Sequence, residues 1–570
     1  MTGTSATAGG AAPGLLSRER IVAKPGFNRW LVPPAAVAIH LCIGMVYGLS
    51  VFWLPMAQAI GITQPVACPD APDSVVGKII QSLFTTTCDW DVTSVLIIFT
   101  IGIVFLGLSA AVFGGWLERA GPRKAGLAAA MCWGGGFIIA GFGMLIHQLW
   151  VIWLGLGVIG GIGLGLGYIS PVSTLIKWFP DRRGMATGMA IMGFGGGAMI
   201  GSPLAVILMN GGNFINWDVP GLGPVQLGFE GFRTATSVGV WQTFMVMGAI
   251  YIIAMTAGAF GYRVPPEGWR PDGWKPPEST HAMITQGNVH LEEAHKTPQF
   301  WLIWIVLCMN VSAGIGVLAM ASPMLQEIFA GSLIGLPNVS FEALSEAQKI
   351  SIAAIAGGFV GLLSLFNAGG RFFWASMSDY IGRKRTYFIF FALGMVLYGA
   401  APTLAAWGAL AMFVAAFCII LSMYGGGFAT VPAYLADIFG TKYVGAIHGR
   451  LLTAWSTAGV LGPMVIGYIR DAQLAAGIPK AQVYNQTMYI LVGFLIVGLI
   501  ANALVRPVHD KHLMKVDLGG MEGPHNTSTG AHGIGFGGFS FAALIAWLLV
   551  GIPFFWGVWN TLVKAVALFS

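Results

Sequence analysis

Charged side chains are scarce in this sequence. Asp, Glu, Lys and Arg together make up 9% of the 570 residues, whereas hydrophobic residues make up 56%. Soluble domains carry roughly 25% charged residues, so the composition excludes a soluble globular protein and indicates a membrane protein. The net charge of +6 requires no nucleic-acid partner, because basic residues in short loops beside anionic lipid headgroups account for it.

Cysteine is also scarce, and motifs for metal, nucleotide or nucleophilic chemistry are missing. Six cysteines are too few for a disulfide framework, although Cys68 and Cys88 share a predicted outer loop, where a disulfide is a hypothesis. No zinc-type histidine spacing, nucleophile elbow or phosphate loop occurs. GLGVIG at 155–160 lies in an apolar run and follows no predicted strand, so we reject a dinucleotide site. The sequence predicts no cofactor, no metal site and no enzymatic activity.

Apolar runs long enough to cross a bilayer are abundant. A span of about 20 residues crosses the hydrocarbon core, and it must be helical because lipid offers the backbone no hydrogen-bond partner. We predict helices near 31–57, 93–116, 125–147, 149–176, 184–209, 239–260, 300–325, 350–374, 386–404, 407–433, 445–469, 488–507 and 541–568. The chain is therefore expected to be an all-α membrane protein with six helices, six more and a thirteenth.

The cations set the orientation of these helices. If the N-terminus is cytoplasmic, 22 of the 29 lysines and arginines fall in inner segments, as the positive-inside rule requires. The first 29 residues are polar and basic and lack the apolar core of a signal peptide. We predict a multi-pass protein of the cell inner membrane with a cytoplasmic N-terminus.

The chain repeats itself at an offset of 261 residues. Matched pairs include Glu118 with Asp379, Gly188 with Gly449, and similar pairs of glycines and prolines. Because six helices return the chain to its starting side, the two copies are parallel. This plan resembles the major facilitator superfamily fold, in which the substrate site lies near the midplane between the halves. The predicted segments are a tail at 1–29, halves at 30–260 and 299–508, linkers at 261–298 and 509–538, and an extra helix at 539–570.

Two copies of a loop motif lie at inner turns of the predicted fold. GGWLERAGPRK and ASMSDYIGRKR each place an acid three residues before a glycine and basic residues after it. The glycine permits a tight reversal, and the acid can pair with cations or with the N-terminus of a neighbouring helix. We predict a latch that stabilises the outward-open state and breaks as the halves rock, with charges that only set the membrane topology as the alternative. Its candidate residues are Glu118, Arg119, Arg123, Asp379, Arg383 and Lys384.

Arg371 is the one arginine or lysine that this topology leaves inside the membrane. It lies 11 residues before the turn at Gly382, which is about 16 Å into the span and near the midplane. A cation there costs about 2.5–3.5 kcal/mol on insertion scales, so such residues face a cavity or a partner. No carboxylate lies in the middle of a predicted span, and a guanidinium suits a planar carboxylate. We predict that Arg371 faces the cavity and binds an anionic substrate.

Three long stretches resemble the oxalate/formate antiporter family of the major facilitator superfamily. They are FNAGGRFFWASMSDYIGRKR at 366–385, YISPVSTLIKWFPDRRGMATGMAIMGFGGGAMIGSP at 168–203 and YLADIFGTKYVGAIHGRLLTAWSTAGVLGP at 434–463, supported by TPQFWLIW at 297–304. The resemblance implies that Arg371 binds the substrate carboxylate and that aromatic side chains roof and floor the cavity. Tyr47, Tyr168 and Tyr424 are our matches for these aromatics, with interfacial or packing roles as the alternative.

Two departures from related transporters bear on substrate and coupling. The oxalate exchanger of the family carries a lysine where Trp455 stands, so one arginine would leave the second carboxylate of a dianion uncompensated. Formate, lactate or pyruvate therefore competes with oxalate as the substrate. Proton-linked monocarboxylate transporters, which resemble the same segment, place an aspartate where Asn367 stands, and an amide cannot titrate. We therefore favour anion exchange over proton symport and count Asn367 and Trp455 among the substrate-binding candidates.

The remaining expectations concern the C-terminus and the partners. FSFAALIAWLLVGIPFFWGVWNTLVKAVALF at 539–569 resembles the small-subunit segment found beside some of these transporters. It is either a thirteenth helix, which would put Ser570 outside, or a re-entrant or amphipathic element. A sensor that binds the anion without moving it is the rival class, and the sequence has nothing resembling a cytoplasmic signalling domain. The expected partners are a small carboxylate and the lipid bilayer, with a monomer as the default.

Overall fold

The computed structural model confirms the predicted membrane-length helices. It describes residues 14–62, 66–69, 75–90, 92–219, 223–271, 273–274, 283–285, 287–514, 540–565 and 568. Within them, twelve helices are long and apolar enough to span a membrane, and Glu346–Ile381, with 36 residues, completes the expected set. The predictions for residues 1–13, Lys275 and 515–538 lie outside the described residues. In chain order α1 to α13 are Arg29–Leu49, Val92–Ala120, Pro122–Leu145, Leu149–Trp178, Arg183–Asn210, Val240–Gly261, Pro298–Phe329, Glu346–Ile381, Arg383–Ala406, Leu410–Phe439, Val444–Leu474, Asn485–Leu504 and Phe541–Ala565.

Single glycines separate the helices at both copies of the loop motif. Gly121 stands between α2 and α3, and Gly382 stands between α8 and α9. Their φ angles are +85° and +88°, a region of backbone conformation that glycine adopts without steric cost. The helices therefore continue past the apolar windows and carry Glu118 and Asp379 at their last turns.

The 261-residue repeat is also a repeat of contacts between the halves. Gly188 of α5 packs on the backbone oxygen of Arg371 in α8, and Gly449 of α11 packs on that of Ala110 in α2. A Cβ at these glycines would lie 2.8 Å and 2.2 Å from the two oxygens, so only glycine fits. The halves thus meet along two equivalent seams, α5 with α8 and α2 with α11. At the position where the second half carries Arg371, the first half carries Ala110.

Glycines inside the helices serve packing. Gly155 of α4 lies against Ile139 of α3, and Gly157 lies against Ile101 of α2. Both belong to GLGVIG, which forms a π-helical stretch within α4. Small residues let membrane helices approach closely, and this use of the motif agrees with the rejection of a dinucleotide site.

The two ends of the bundle differ in structure. We call the end that carries Gly121 and Gly382 the basic end, because most cationic loops lie there. The opposite hairpin end carries antiparallel strands β1 (Gly212–Val219) and β2 (Gly223–Phe229), in which Gly212 pairs with Phe229. This hairpin was not predicted from the sequence. The hypothesised disulfide between Cys68 and Cys88 is present in the loop between α1 and α2.

Helix α13 packs on both halves along the outside of the seam between α5 and α8. Its Phe554 lies against Gly196 of α5, and its Thr561 lies against Gly361 of α8. Trp556 donates a hydrogen bond of 2.8 Å to a backbone oxygen of the hairpin. The helix therefore runs parallel to α5 from the basic end to the hairpin end, as a membrane-length helix and not as a re-entrant element.

Candidate functional site

Arg371 is enclosed at the middle of the seam between α5 and α8. The side chain is 0% exposed, and its Nε donates a hydrogen bond of 3.0 Å to the Oδ1 atom of Asn367, one turn earlier. Nη1 and Nη2 make no well-aligned hydrogen bond among the described residues, and the hydroxyls of Tyr47 and Tyr168 are the polar groups that approach the guanidinium. Buried polar groups are normally hydrogen-bonded, so a guanidinium with its outer edge unpartnered is unusual.

Two glycines make room for the arginine. A Cβ at Gly195 of α5 would lie 3.1 Å from Arg371 Nε, and a Cβ at Gly425 of α10 would lie 2.5 Å from Asn367 Oδ1. Both helices can therefore approach the arginine and its amide partner closely. Two glycine runs therefore serve both helix packing and the site, because they leave room for the arginine. They are GFGGG at 193–197 and GGG at 425–427.

Aromatic rings surround the guanidinium. Its Cζ lies 5.4 Å from the ring centroid of Phe194 and 5.2 Å from that of Phe428, within the range of cation–π attraction. The hydroxyl groups of Tyr47 and Tyr424 are 3.0 Å apart and join α1 to α10 across the halves. Tyr47 lies in the half of α1 nearer the hairpin end, and Tyr424 adjoins Gly425, which packs directly against Asn367 and Arg371. They close the site on that side.

Tyr168 and Trp455 close the other side of the site. Their ring centroids are 5.3 Å apart, and Trp455 also lies 4.3 Å from the ring of Phe428. The Tyr168 hydroxyl and the Trp455 Nε1 atom are buried and have no hydrogen-bond partner in the described part of the chain. Tyr168 lies within electrostatic range of Arg371. Four unpartnered hydrogen-bond donors thus surround one region, and such a set suits an anion.

The structure brings the six candidate substrate-binding residues together. Beside them lie Phe194, Phe428 and His448, which were not predicted from the sequence. Phe194 interrupts a run of glycines, and Phe428 follows one. Such runs indicate that neighbouring helices pack closely at these positions. The His448 ring lies 5.8 Å from the ring of Tyr168. No group of three or more potential metal ligands occurs among the residues searched.

The second copy of the loop motif joins the halves at the basic end. The Asp379 carboxylate accepts hydrogen bonds of 2.8 Å and 2.9 Å from the backbone N–H groups of Gly184 and Met185, at the N-terminus of α5. It also pairs with Arg383 at 2.6 Å. A carboxylate at this position is favoured by the helix dipole as well as by the hydrogen bonds. The contact closes the basic end of the seam.

Asp437 of α10 extends this network, and sequence analysis did not identify it. Its carboxylate accepts hydrogen bonds from Arg183 of α5 at 3.0 Å and from Arg383 at 3.2 Å. The ion pair with Arg183 crosses from the first half to the second. Pairing of residues 254 positions apart carries no local sequence signal, which explains why the prediction missed it.

The first copy of the motif is arranged differently. Glu118 pairs with Lys177 of its own half at 2.7 Å, and its Oε1 atom approaches Gly445 of α11 without a hydrogen-bond partner in the described ranges. Arg123 instead donates to the backbone oxygen of Leu15 at 2.9 Å.

Two further latch candidates lie apart from the contact between the halves. Lys384 donates to the backbone oxygens of Ala503 and Val505 within the second half. Arg119 is exposed, and the described residues give it no ion-pair partner. Of the six latch candidates, the structure places Asp379 and Arg383 in the network that joins the halves.

Comparison with known proteins gives the following matches. The profile of the Major Facilitator Superfamily matches residues 36–463. The oxalate:formate antiporter of Oxalobacter formigenes is 28% identical over 369 residues, which cover 64% of this chain and 73% of that protein. The apicoplast pyruvate carrier 1 of Toxoplasma gondii is 25% identical over 466 residues, which cover 72% and 78%.

One solved structure supports the fold. The crystal structure of a bacterial homologue of the iron transporter ferroportin, in its outward-facing state, superposes with a TM-score of 0.51 at 11% sequence identity. The match covers 84% of this chain and 99% of that one. At this identity the likeness concerns the fold alone.

Proposed function

The chain belongs to the Major Facilitator Superfamily and is a multi-pass membrane transporter, and we propose that it moves small carboxylate anions by alternating access, in an exchange of one anion for another. The observation that carries the proposal is the guanidinium of Arg371, fully buried and with Nη1 and Nη2 unpartnered among the described residues. A planar fork of N–H donors matches a carboxylate in two-point geometry. Two relatives are named for oxalate and formate exchange and for pyruvate transport, which supports this substrate class.

The surroundings of Arg371 favour a monocarboxylate. The oxalate exchanger of the family carries a lysine at the position of Trp455. In this protein Trp455 is uncharged and lies fully buried beside Phe428. A second carboxylate would face aromatic rings and remain uncompensated in a medium of low dielectric constant. We therefore propose formate, lactate or pyruvate ahead of oxalate.

The proposed cycle uses the contacts at both ends of the seam. The bond between Tyr47 and Tyr424 would break to admit the anion from the hairpin end. The network of Asp379, Arg383 and Asp437 would break to release it at the basic end. In the proposed orientation the basic end faces the cytoplasm of a cell whose inner membrane holds the protein, and a monomer suffices because both halves belong to one chain.

Counterflow in proteoliposomes tests the proposal. Vesicles loaded with about 10 mM of one unlabelled anion are diluted into trace labelled formate, oxalate, lactate or pyruvate. We expect transient accumulation of the monocarboxylate that fits best, at least about tenfold faster than oxalate, because an uncompensated charge costs more than 1.4 kcal/mol. Protein-free vesicles control for leakage. If no carboxylate accumulates while binding to purified protein is measurable, the chain is a sensor and the proposed transport is wrong.

The variant Asn367→Asp tests the preference for exchange over proton symport. Asn367 Oδ1 already accepts from Arg371 Nε, so an aspartate there would form an ion pair and compete with the substrate. We expect uptake to fall by about tenfold or more at pH 7.5 and to recover only towards the acidic limit of the range, because pairing with Arg371 keeps the introduced carboxylate ionised. Uptake between pH 5 and 8 gives the comparison. Wild-type accumulation driven by a pH gradient alone, without internal anion, would favour the symport alternative.

A further inference from the structure

His448 is a buried histidine for which the substrate site so far has no use. It lies in the first turns of α11 and is 1% exposed. Neither Nδ1 nor Nε2 has a hydrogen-bond partner among the described residues. Its ring faces Tyr168 of the first half at 5.8 Å between centroids, so it contacts both halves at the point where they meet.

The position of His448 places it on the way out of the site. It precedes Trp455 by seven residues on α11, which is two helical turns, or about 10 Å, towards the basic end. Tyr168 contacts both rings, at 5.3 Å from Trp455 and 5.8 Å from His448. An anion that leaves Arg371 for the basic end therefore passes Tyr168 and meets His448 next.

We propose that His448 is a second anion-binding position, active when its imidazole is protonated, between Arg371 and the basic end. The inference rests on the proposed carboxylate transport and adds a second step to it. A neutral imidazole offers one N–H donor, whereas the imidazolium offers two donors and a positive charge. The proton is taken from water at the basic end when the anion reaches His448 and is returned to the same side when the anion leaves His448, so no proton crosses the membrane. A lone charge in a dry site is costly, but an anion and a proton that enter together form a compensated pair.

The neighbouring ionisable groups leave His448 available for this role. The first part of α11 packs against α2, α4, α10 and the short helix Leu291–Ala294. The carboxylates on the described parts of those elements have other partners: Glu118 has Lys177, Asp437 has Arg183 and Arg383, Glu292 has Arg450, and Glu293 has Lys296 and His512. The other ionisable neighbours are Tyr168 and His40. Each ring nitrogen of His40 faces a backbone oxygen, that of Ala190 or Tyr168, so both are occupied within the first half.

Counterflow at the same pH on both sides of the membrane tests the proposal without a proton gradient. The probe is whichever of formate, oxalate, lactate and pyruvate exchanges fastest. Carboxylic acids that titrate near pH 4 stay mostly ionised from pH 5.5 to 8, whereas an imidazole whose positive charge is compensated by the bound anion gains its proton within this range. We expect the wild-type rate to rise at least about fivefold from pH 8 to pH 5.5. In His448→Gln the rate should stay flat at the alkaline level.

Controls separate this proposal from the proposed function. The variant His448→Lys supplies a fixed cation and should keep the rate high at every pH, so it decides the question if the glutamine variant does not fold. His147→Gln is the matched control, because His147 bonds the backbone oxygen of Cys88 at 2.9 Å near the hairpin end, and it should keep the wild-type profile. A wild-type profile in His448→Gln, or a profile flattened by His40→Gln alone, would overturn the assignment. Absence of wild-type counterflow would instead refute the proposed function.

Discussion

Replacing Arg371 with alanine is expected to abolish carboxylate exchange in proteoliposomes, with a loss of at least about 100-fold in initial rate. Nη1 and Nη2 have no other hydrogen-bond partner among the described residues, so a bound carboxylate would receive two charged hydrogen bonds from them. Such bonds contribute about 1.5–3 kcal/mol each, and their joint loss corresponds to a factor of about 100 or more. Counterflow with the best substrate of the wild type measures the effect.

Lysine at the same position should not restore exchange. An ammonium keeps the charge but offers no planar fork, and it cannot reproduce the hydrogen bond from Nε to Asn367. Arg233→Ala is a suitable control, because Arg233 lies near the hairpin end and bonds Asn210 at 3.3 Å, far from the site. Exchange at the wild-type rate by Arg371→Ala would remove the arginine from the substrate site.

Thermal melting of the purified protein distinguishes a binding role from a structural role for Arg371. A ligand at 100 times its Kd stabilises the folded state by about 2.7 kcal/mol, so the wild type should melt at a higher temperature with substrate. Arg371→Met should lose this shift. Without substrate it should melt no lower than the wild type, because a buried cation with an unpartnered edge destabilises the fold. A large drop in melting temperature without substrate would indicate a structural arginine instead.

Local sequence patterns predict the helices and the central charge of this protein. The length of the apolar runs predicts the membrane spans, and the 261-residue offset predicts the two halves. Arg371 is identified because a cation among apolar residues must face a partner. Two glycines in equivalent positions, Gly188 and Gly449, lie on the two seams. These features depend on residues that are close in sequence or related by the repeat.

Contacts between distant helices were not predictable from the same patterns. The glycine runs beside Phe194 and Phe428 indicate close helix packing but not which side chain is packed against, and the two rings flank Arg371 because these glycines let α5 and α10 approach it. Asp437 pairs with Arg183 across the halves, which requires knowledge of how α5 and α10 are placed. The strands β1 and β2 lie in a loop in which no long apolar alternation marks them.

Replacing Asp379 with asparagine is expected to open the basic end of the seam. The carboxylate accepts from two N–H groups of α5 and pairs with Arg383, whereas an amide has no charge to complement the helix N-terminus or the guanidinium. Breaking a buried pair costs about 3–5 kcal/mol, and the partial exposure of Asp379 reduces this to about 2 kcal/mol. The equilibrium between the closed and open basic end should then shift by about 30-fold.

Distances between spin labels on the two halves report this shift directly. Lys124 and Lys442 are exposed at the basic end, one in each half, and cysteines introduced there can be labelled after the four free cysteines are replaced. We expect Asp379→Asn to move most of the distance distribution to longer values, because the charge that holds α5 against α8 is gone. Glu293→Gln removes a more exposed carboxylate that pairs, among the described residues, with Lys296 and His512 outside the seam, and it should leave the distribution unchanged. Equal distributions in wild type and Asp379→Asn would mean that packing of α5 on α8, and not the carboxylate, keeps the basic end closed.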